Sequence, residues 1–293
     1  ETLSAMHYAI IANPASGTTS PVKKRALLSA PARILGANIY GLDTATAPEL
    51  VRCANDVAAH CDVLVIAGGD GTFSDIVNAI DTVETPAAFL PLGTGNALSY
   101  ALGYKGGAAG AAKRIRDGNI REHDLLDCKG HKRGFMMSVG FEGTVLQSYD
   151  RYRKRGYGGF GAYVAGFLEA YFRSYRRTSA QITIDGHTRK IDNLLSLMVV
   201  KQPYYGFGMK VVPRAKFDDG LAHTLSINAG LFGCAIGAAT AFAGRNQIGR
   251  YVTGHRVEVQ STTVLPIQID GDCISQADTF RFQVISQALR IKY

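Results

Sequence analysis

Residues 62–72 read DVLVIAGGDGT, an apolar run that passes directly into a glycine-rich turn. The run Asp62–Ala67 predicts a central strand of a parallel sheet, because such strands are buried on both faces. A helical pattern, Thr72–Ile80, follows the glycines, which therefore lie where a strand turns into a helix. A turn of this kind lets the backbone approach a phosphate chain, and the helix N-terminus offers N–H groups and the positive end of its dipole.

Strand and helix patterns alternate on both sides of this stretch. Further strands are predicted at His7–Ala12, Asn38–Tyr40 and Ala87–Leu90, and helices at Lys23–Leu35, Pro48–Ala59 and Asn96–Leu102. Alternation at this spacing predicts a parallel α/β sheet with right-handed crossovers. We place this first domain at residues 5–125.

The pattern changes after about Ile120 to short strand-like runs separated by turn residues. The runs are Phe135–Gly140, Ala180–Asp185, Leu195–Val200, Leu221–Ile227, Arg256–Gln260 and Leu265–Asp270. They predict a mostly antiparallel second domain at residues 126–278, with hairpin turns at Asp185-Gly186 and Asp270-Gly271. Residues 279–293 predict a last strand or two that could return to the first domain.

The composition is that of a folded chain of 293 residues, 46% hydrophobic and 19% charged. The five cysteines have no CxxC spacing, which argues against a zinc or redox site and favours a reducing, cytoplasmic setting. The longest uncharged run, Leu225–Gly244, is too polar for a membrane span and predicts a strand end followed by a core-packed helix. No signal peptide is recognised.

The positive charge is concentrated in the second part of the chain. Residues 1–125 carry 10 Lys and Arg against 12 Asp and Glu, whereas residues 126–293 carry 22 against 12. The excess favours an anionic partner, either a membrane surface or a nucleic acid.

Three glycine-containing loops follow predicted parallel strands, and such loops converge on one ligand crevice. They are NPASG at 13–17, GGDGT at 68–72 and PLGTGN at 91–96. Together they favour a nucleotide ligand. The chain has no Walker loop, which excludes a P-loop ATPase, and Leu98 replaces the third glycine of the dinucleotide fingerprint, which argues against a Rossmann dehydrogenase. A carboxylate such as Asp70 would act there through a metal ion or on the hydroxyl being phosphorylated; the alternative is a tight turn with Asp70 as a local cap.

In this order the motifs resemble the diacylglycerol kinase catalytic-domain family, which includes bacterial lipid kinases and is related to sphingosine, ceramide and NAD kinases. The resemblance continues through GFGM at 206–209, PRA at 213–215, FDDG at 217–220 and DGD at 270–272. It implies an NAD-kinase-like α/β domain followed by a mostly antiparallel β-sandwich domain, and an ATP- and Mg²⁺-dependent kinase with a lipid substrate.

The resemblance also implies roles for individual residues. Asp272 would accept the proton of the lipid hydroxyl, with Asp70 as a second catalytic carboxylate. Mg²⁺ would bind Asp219 and backbone oxygens of Lys216 and Leu221. The residues implied in ATP binding are Asn13, Thr44, Gly68, Gly69, Asp70, Gly71, Thr72, Phe73, Ser74, Gly93, Thr94 and Asn96.

The chain departs from the family pattern in three places, one of which is Ser74-Asp75, where the family frequently has Asn-Glu. Bacterial members usually have Glu where this chain has Asp272, and Gly95-Asn96-Ala97 is closer to sphingosine kinases. The departures leave open whether the lipid is diacylglycerol or a sphingoid. They also leave two alternatives, an NAD-kinase-like enzyme with a soluble substrate and a non-catalytic nucleotide- or lipid-binding protein.

The segment 150–177 interleaves seven Arg and Lys residues with eight aromatic residues. This mixture suits an amphipathic helix that lies on an anionic membrane surface. It also suits nucleic acid, or a solvated helix whose aromatic residues enter the core. We expect peripheral membrane association and no nucleic-acid partner; the oligomeric state stays open, with a homodimer as one alternative.

Overall fold

The computed structural model describes residues 6–17 and 19–293, so Ala5, the first residue of the predicted α/β domain, lies outside them. The strands are β1 Tyr8–Ala12, β2 Asn38–Tyr40, β3 Val63–Gly68, β4 Ala87–Pro91, β5 Ile120–Cys128, β6 Met136–Gly140, β7 Thr178–Ile184, β8 His187–Leu194, β9 Ser196–Val200, β10 Ala222–Ile227, β11 Arg250–Gly254, β12 Arg256–Ile269 and β13 Asp272–Lys292. The α-helices are α1 Pro21–Leu35, α2 Ala47–Ala58, α3 Asp70–Val77, α4 Ala97–Ala101, α5 Gly107–Asp117, α6 Phe141–Lys154, α7 Gly159–Glu169 and α8 Leu231–Phe242.

The chain forms two compact units. The first contains the residues up to His123 together with Gln287–Tyr293, and the second contains Asp124–Ser286. The functional domains predicted from the sequence, one for the nucleotide and one for the lipid, stay predictions.

The first unit is built on a parallel sheet. Its strands lie in the order β13, β4, β3, β1, β2, where only the last residues of β13 take part and Ile291 pairs with Ala87. All residues of β1 and β3 are buried, as expected for strands covered by helices on both faces. The predicted parallel α/β sheet is therefore confirmed.

The helices of this unit begin at sequence signals for helix starts. Ser20 caps α1 by accepting a hydrogen bond from the Lys23 N–H, and Pro21 occupies the first turn. Thr46 caps α2 in the same way, while the Glu49 carboxylate accepts a hydrogen bond of 2.8 Å from the Ala45 N–H. These caps fix where each helix starts, and therefore the length of the loop that precedes it.

The second unit is mostly antiparallel, as predicted. Its main strand order is β11, β10, β9, β6, β12, β13, and the hairpin of β7 and β8 pairs with β12. Both predicted hairpin turns are present, with Asp185-Gly186 and Asp270-Gly271 at positive φ, as a type I′ turn requires. The core includes Met137, Leu197 and Ile267, which are fully or almost fully buried.

One prediction in this unit holds only in part, for Ala241 and Cys234, which belong to the core or pack against it. The helix expected to pack into the core is α8, but most of its residues are partly or fully exposed, and two, Gly237 and Ala241, are buried. Phe232 is 81% exposed. An apolar helix without a polar face gives no sign of which side meets the protein. Among residues 6–17 and 19–293, no helix is long and apolar enough to span a bilayer.

Candidate active site

A buried lysine holds the first glycine-containing loop, residues 13–17. The Lys24 ammonium, 1% exposed, donates to the backbone oxygen of Asn13 at 3.1 Å and to that of Pro14 at 2.5 Å. Burial lowers the pKa of Lys24. Because these two backbone oxygens accept hydrogen bonds from Lys24, the lysine fixes the orientation of the first two peptide groups of the loop.

The second loop, GGDGT, runs from β3 into α3. Gly69 is the N-cap of α3 and has no side chain, so it makes no side-chain hydrogen bond to this helix. The helix N-terminus therefore has no N-cap side chain in the way of a phosphate group, and helix N-termini bind phosphate through their N–H groups. The Asn13 amide donates to Thr72 Oγ1 at 2.7 Å, which ties the first loop to the second.

The third loop, residues 91–96, packs directly against the other two. A Cβ at Gly93 would lie 2.5 Å from the Cα of Gly69, and one at Gly17 would lie 2.9 Å from the Leu92 oxygen. Approaches this close require glycine on at least one side. The predicted convergence of the three loops at the carboxyl ends of the strands is therefore present within the first unit.

Asp70 links the second loop to the third. Its carboxylate accepts hydrogen bonds of 2.9 Å from the N–H groups of both Ala97 and Leu98, at the start of α4. Desolvation raises the pKa of Asp70, and these two hydrogen bonds act in the opposite direction. Asp70 is thus a capping residue, as the alternative interpretation had it, but it does not cap a local turn. It caps α4, which begins 27 residues further along the chain.

The other predicted ATP residues divide into those whose polar side chains lie in or near the loops and those whose side chains are buried. Thr94 is exposed, and the Asn96 amide donates to the Gly93 oxygen at 2.7 Å while no described residue donates to its buried Oδ1. Thr44 lies after β2 and donates to the Gly41 oxygen at 2.7 Å. In contrast, the side chains of Phe73 and Ser74 are almost fully buried, so a nucleotide could meet these two only through the backbone.

The predicted Mg²⁺ site does not fit the residues present. Two of its three ligand groups, the Asp219 carboxylate and the Leu221 carbonyl, each accept a 2.8 Å hydrogen bond from the Lys201 ammonium. The N–H of Lys216 donates to His223 Nε2 at 3.2 Å. Throughout residues 6–17 and 19–293, no group of three His, Cys, Asp or Glu side chains is arranged to hold a metal ion.

The electrostatics of this cluster agree with its geometry. Burial alone would raise the pKa of Asp219, but the hydrogen bonds from Lys201 and Leu221 and the positive charge of Lys201 outweigh it and lower the pKa. Burial lowers the pKa of His223 despite the neighbouring Asp219. Asp219 is thus held as a carboxylate by a lysine of the chain itself.

Asp272, the predicted proton acceptor, is the first residue of β13 in the second unit. Its carboxylate forms an ion pair of 2.8 Å with Lys132, and the side chain is 47% exposed. The hairpin turn before it is rigid, because the Asp270 carboxylate accepts hydrogen bonds from the N–H groups of Phe135 and Met136. The carboxylate of Asp272 is therefore accessible and held at a defined position.

The second unit also contains an apolar cavity of about 440 Å³, which sequence reasoning missed. Its walls come from α6, α7, α8 and neighbouring strands, and they include Phe141, Phe167, Met198 and Ile227. The volume lies in the usual range for small-molecule pockets. The feature of the sequence that could have indicated the cavity is α8, an apolar helix whose many glycines and alanines leave space beside the larger apolar side chains of the other walls.

One carboxyl group lines this cavity. Glu142 accepts a hydrogen bond of 2.5 Å from Ser196, and desolvation by burial raises its pKa to about 7. Burial likewise raises the pKa of Tyr205, which lies beside Tyr163 at the same wall. The sequence could have indicated the buried carboxyl group of Glu142, because this is a single acidic residue in the otherwise mostly apolar stretch MMSVGFEGTV.

The basic and aromatic segment 150–177 is not one helix. It contains the end of α6, a turn, α7 and a π-helical turn at Ala170–Ser174. Its aromatic residues divide: Phe167 packs against Phe141 with 5.0 Å between ring centroids, whereas Phe160 is 46% exposed at the cavity wall. The core-packed interpretation therefore holds for Phe167, whereas the interfacial interpretation stays a prediction.

Comparison with known proteins identifies the fold and the family. Residues 7–128 match the model of the diacylglycerol kinase catalytic domain, and residues 136–293 match that of the YegS C-terminal NAD kinase beta sandwich-like domain. A diacylglycerol kinase of Staphylococcus aureus is 30% identical over 223 residues, 72% of this chain and 68% of the relative. The chain belongs to the diacylglycerol kinase family. It is an enzyme of the lipid kinase class, a phosphotransferase, and kinase membership implies ATP as cosubstrate.

Other similar proteins agree with this family. A diacylglycerol kinase of Staphylococcus epidermidis is 29% identical over 90% of this chain and 84% of its own. A longer protein of Synechocystis is 28% identical over 54% of this chain, which spans 36% of that relative. The crystal structure of a Bacillus anthracis diacylglycerol kinase superposes over 100% of this chain and 98% of its own, with a TM-score of 0.78 at 18% identity.

An NAD kinase of Archaeoglobus fulgidus, solved in complex with ATP, has the same fold at a TM-score of 0.51 and 10% identity, over 98% of this chain and 93% of its own. The predicted fold class, an NAD-kinase-like α/β domain followed by a mostly antiparallel β-sandwich domain, is confirmed.

Proposed function

We propose that this protein is an ATP- and Mg²⁺-dependent kinase that transfers the γ-phosphoryl group of ATP to the hydroxyl of a membrane lipid, such as diacylglycerol or a sphingoid lipid. The observation that carries the lipid acceptor is the apolar cavity of about 440 Å³ in the second unit. A soluble substrate rich in polar groups would leave them unpaired against such walls. An alkyl chain has no polar groups and fits them.

The three converging loops of the first unit support the nucleotide part of the proposal. Their glycines allow close backbone approach, and α3 begins there with its N–H groups directed out of the helix. Asp70 and the proposed ATP residues Asn13, Thr72 and Asn96 stand on these loops. Magnesium enters as part of the MgATP substrate and not as an ion resident at Asp219.

Asp272 is the proposed proton acceptor. The lipid hydroxyl loses its proton to the Asp272 carboxylate while its oxygen attacks the γ-phosphorus and the bond to the β-phosphate oxygen breaks, which releases ADP. Lys132, 2.8 Å from the carboxylate, orients it for this step. Asp70 fixes the third loop through α4, so we expect its substitution to affect both ATP binding and transfer.

The same cavity supports peripheral association with an anionic membrane. Its wall includes the exposed side chains of Phe160, Val164, Leu168 and Phe242. Arg153–Arg155, at the end of α6 and a few residues before Phe160 in the chain, are exposed as well. Apolar side chains beside positive charges suit the interface of an anionic bilayer. A lipid could then enter the cavity from the bilayer.

The decisive experiment is phosphate transfer from labelled ATP with Mg²⁺ to diacylglycerol, monoacylglycerol, sphingosine, ceramide and NAD, with the products separated by chromatography. We expect label on a lipid, and the labelled lipid decides between the glycerolipid and sphingoid classes. Label on NAD alone would contradict the proposal in favour of the soluble-substrate alternative. Absence of label from folded protein that binds ATP would favour the non-catalytic alternative.

A further inference from the structure

A lysine with no exposed surface lies at the centre of an acidic cluster in the second unit. The Lys201 ammonium, directly after β9, is 2.9 Å from Asp124 Oδ2, 2.8 Å from Asp219 Oδ1 and 2.8 Å from the backbone oxygen of Leu221. Its three N–H donors thus meet three acceptors, the full capacity of an ammonium group. A buried charge is tolerated only under such pairing.

The neighbours of the cluster complete its hydrogen bonds. The Gly220 N–H donates to Asp124 Oδ2 at 2.8 Å, and the Leu221 N–H donates to Asp219 Oδ1 at 3.2 Å. His223 Nε2 lies 3.1 Å from Asp219 Oδ2, and its Nδ1 lies 2.7 Å from the Tyr251 hydroxyl. The ammonium therefore joins β5, β9 and the loop before β10 in one bonded group.

The oxygens around the ammonium are of the kind that Mg²⁺ prefers, carboxylate and backbone carbonyl. A magnesium ion needs such oxygens at about 2.0–2.1 Å in octahedral geometry. An ion that took the Asp219 carboxylate and the Leu221 carbonyl as ligands would lie against the ammonium that now bonds both. The steric conflict and the repulsion between like charges make the two cations mutually exclusive.

We infer that Lys201 is the resident cation of this cluster and replaces a structural divalent ion, so that the second unit folds and stays folded without one. Removing the ammonium leaves two carboxylates and a carbonyl facing a space that a divalent cation can fill. This inference concerns the structural cation and is independent of the lipid substrate.

The test compares the wild-type protein with Lys201→Ala, free of nucleotide, by thermal unfolding and by metal content after dialysis. For the wild type we expect the same melting temperature in EDTA and in Mg²⁺, with no retained metal. For Lys201→Ala we expect a melting temperature lower by about 10 °C in EDTA, since a buried charge loses its partner. Mg²⁺ or Mn²⁺ should raise it again, whereas NaCl of equal ionic strength should not.

Lys190→Ala is the matched control, because Lys190 forms an exposed ion pair of 3.1 Å with Asp192. It should change the melting temperature little and give no response to metal. A wild-type protein that retains one divalent ion, or that melts lower in EDTA, would overturn the inference even if Lys201→Ala fails to fold. A folded Lys201→Ala protein without a metal response would overturn it as well.

Discussion

Asp272 is a partly exposed carboxylate at a hairpin of the second unit, and it forms an ion pair of 2.8 Å with Lys132. Asp272→Asn keeps the shape of the side chain but removes its ability to accept a proton. We expect phosphoryl transfer to fall by about 10²–10⁴-fold with ATP binding unchanged, measured by transfer to lipid and by nucleotide titration. Asp278→Asn, an exposed position on the same strand, is the control. Equal losses in both variants would remove Asp272 from its role.

Glu142 links the cavity to the pH dependence of stability. Because burial raises its pKa to about 7, the folded protein holds a proton that the unfolded chain releases near pH 4.5. The contribution of Glu142 to the free energy of unfolding is therefore greatest at low pH and falls as the pH rises from about 4.5 toward 7. Glu142→Gln should abolish this fall, because the variant has no carboxyl group to ionise. The difference in the free energy of unfolding between the variant and the wild type should therefore increase by on the order of 2 kcal/mol from pH 5 to pH 8.

Denaturant unfolding at pH 5 and pH 8 measures this difference. Glu258→Gln is the control, since Glu258 is exposed and pairs with Arg281 at 3.4 Å. If the difference between Glu142→Gln and wild type is the same at both pH values, Glu142 is ionised in the folded protein and the inferred cause is wrong.

At the scale of elements, α1 supports the first loop through one side chain. Lys24→Met keeps most of the buried stem but removes the hydrogen bonds to the oxygens of Asn13 and Pro14. We expect loss of about 1–3 kcal/mol of stability and weaker ATP binding, because two buried carbonyls lose their donor. Calorimetry and nucleotide titration measure the two effects. Lys23→Met, exposed on the same helix, should show neither.

The elements that the sequence predicts well are those determined by neighbouring residues. The strand Asn38–Tyr40 has the predicted limits, and the loops after β1, β3 and β4 converge because parallel strands end at one edge. The burial of helix α8 was predicted only in part, since its apolar composition does not distinguish a core from an open cavity wall.

The part of the candidate site that could not be predicted depends on residues far apart in the chain. Asp124, Lys201 and Asp219 each look like ordinary charged residues in the sequence. Their meeting depends on the pairing of several strands, which one sequence does not give. The resemblance to the family predicted a metal ion where the structure has an ammonium group, because none of the motifs that carry the resemblance includes Lys201.

At the scale of the whole molecule, the charge excess of residues 126–293 and the exposed cavity wall predict salt-dependent binding to anionic vesicles. Phe242→Asp places a charge among the apolar wall residues and should weaken vesicle sedimentation several-fold without changing ATP binding. Leu27→Asp, at an exposed position on α1, is the control. Equal binding by all three proteins, or binding to duplex DNA instead of vesicles, would contradict the membrane proposal.

Strand β13 belongs to the second unit for most of its length, but Gln287–Tyr293 completes the sheet of the first unit. Ile291 pairs with Ala87, and the Lys292 ammonium donates to the Gly118 oxygen. While the ribosome is still making the second unit, the sheet of the first therefore has an open edge beside β4. The loops proposed to bind ATP stand on this sheet, so newly made chains should gain nucleotide affinity only after Gln287–Tyr293 has left the exit tunnel.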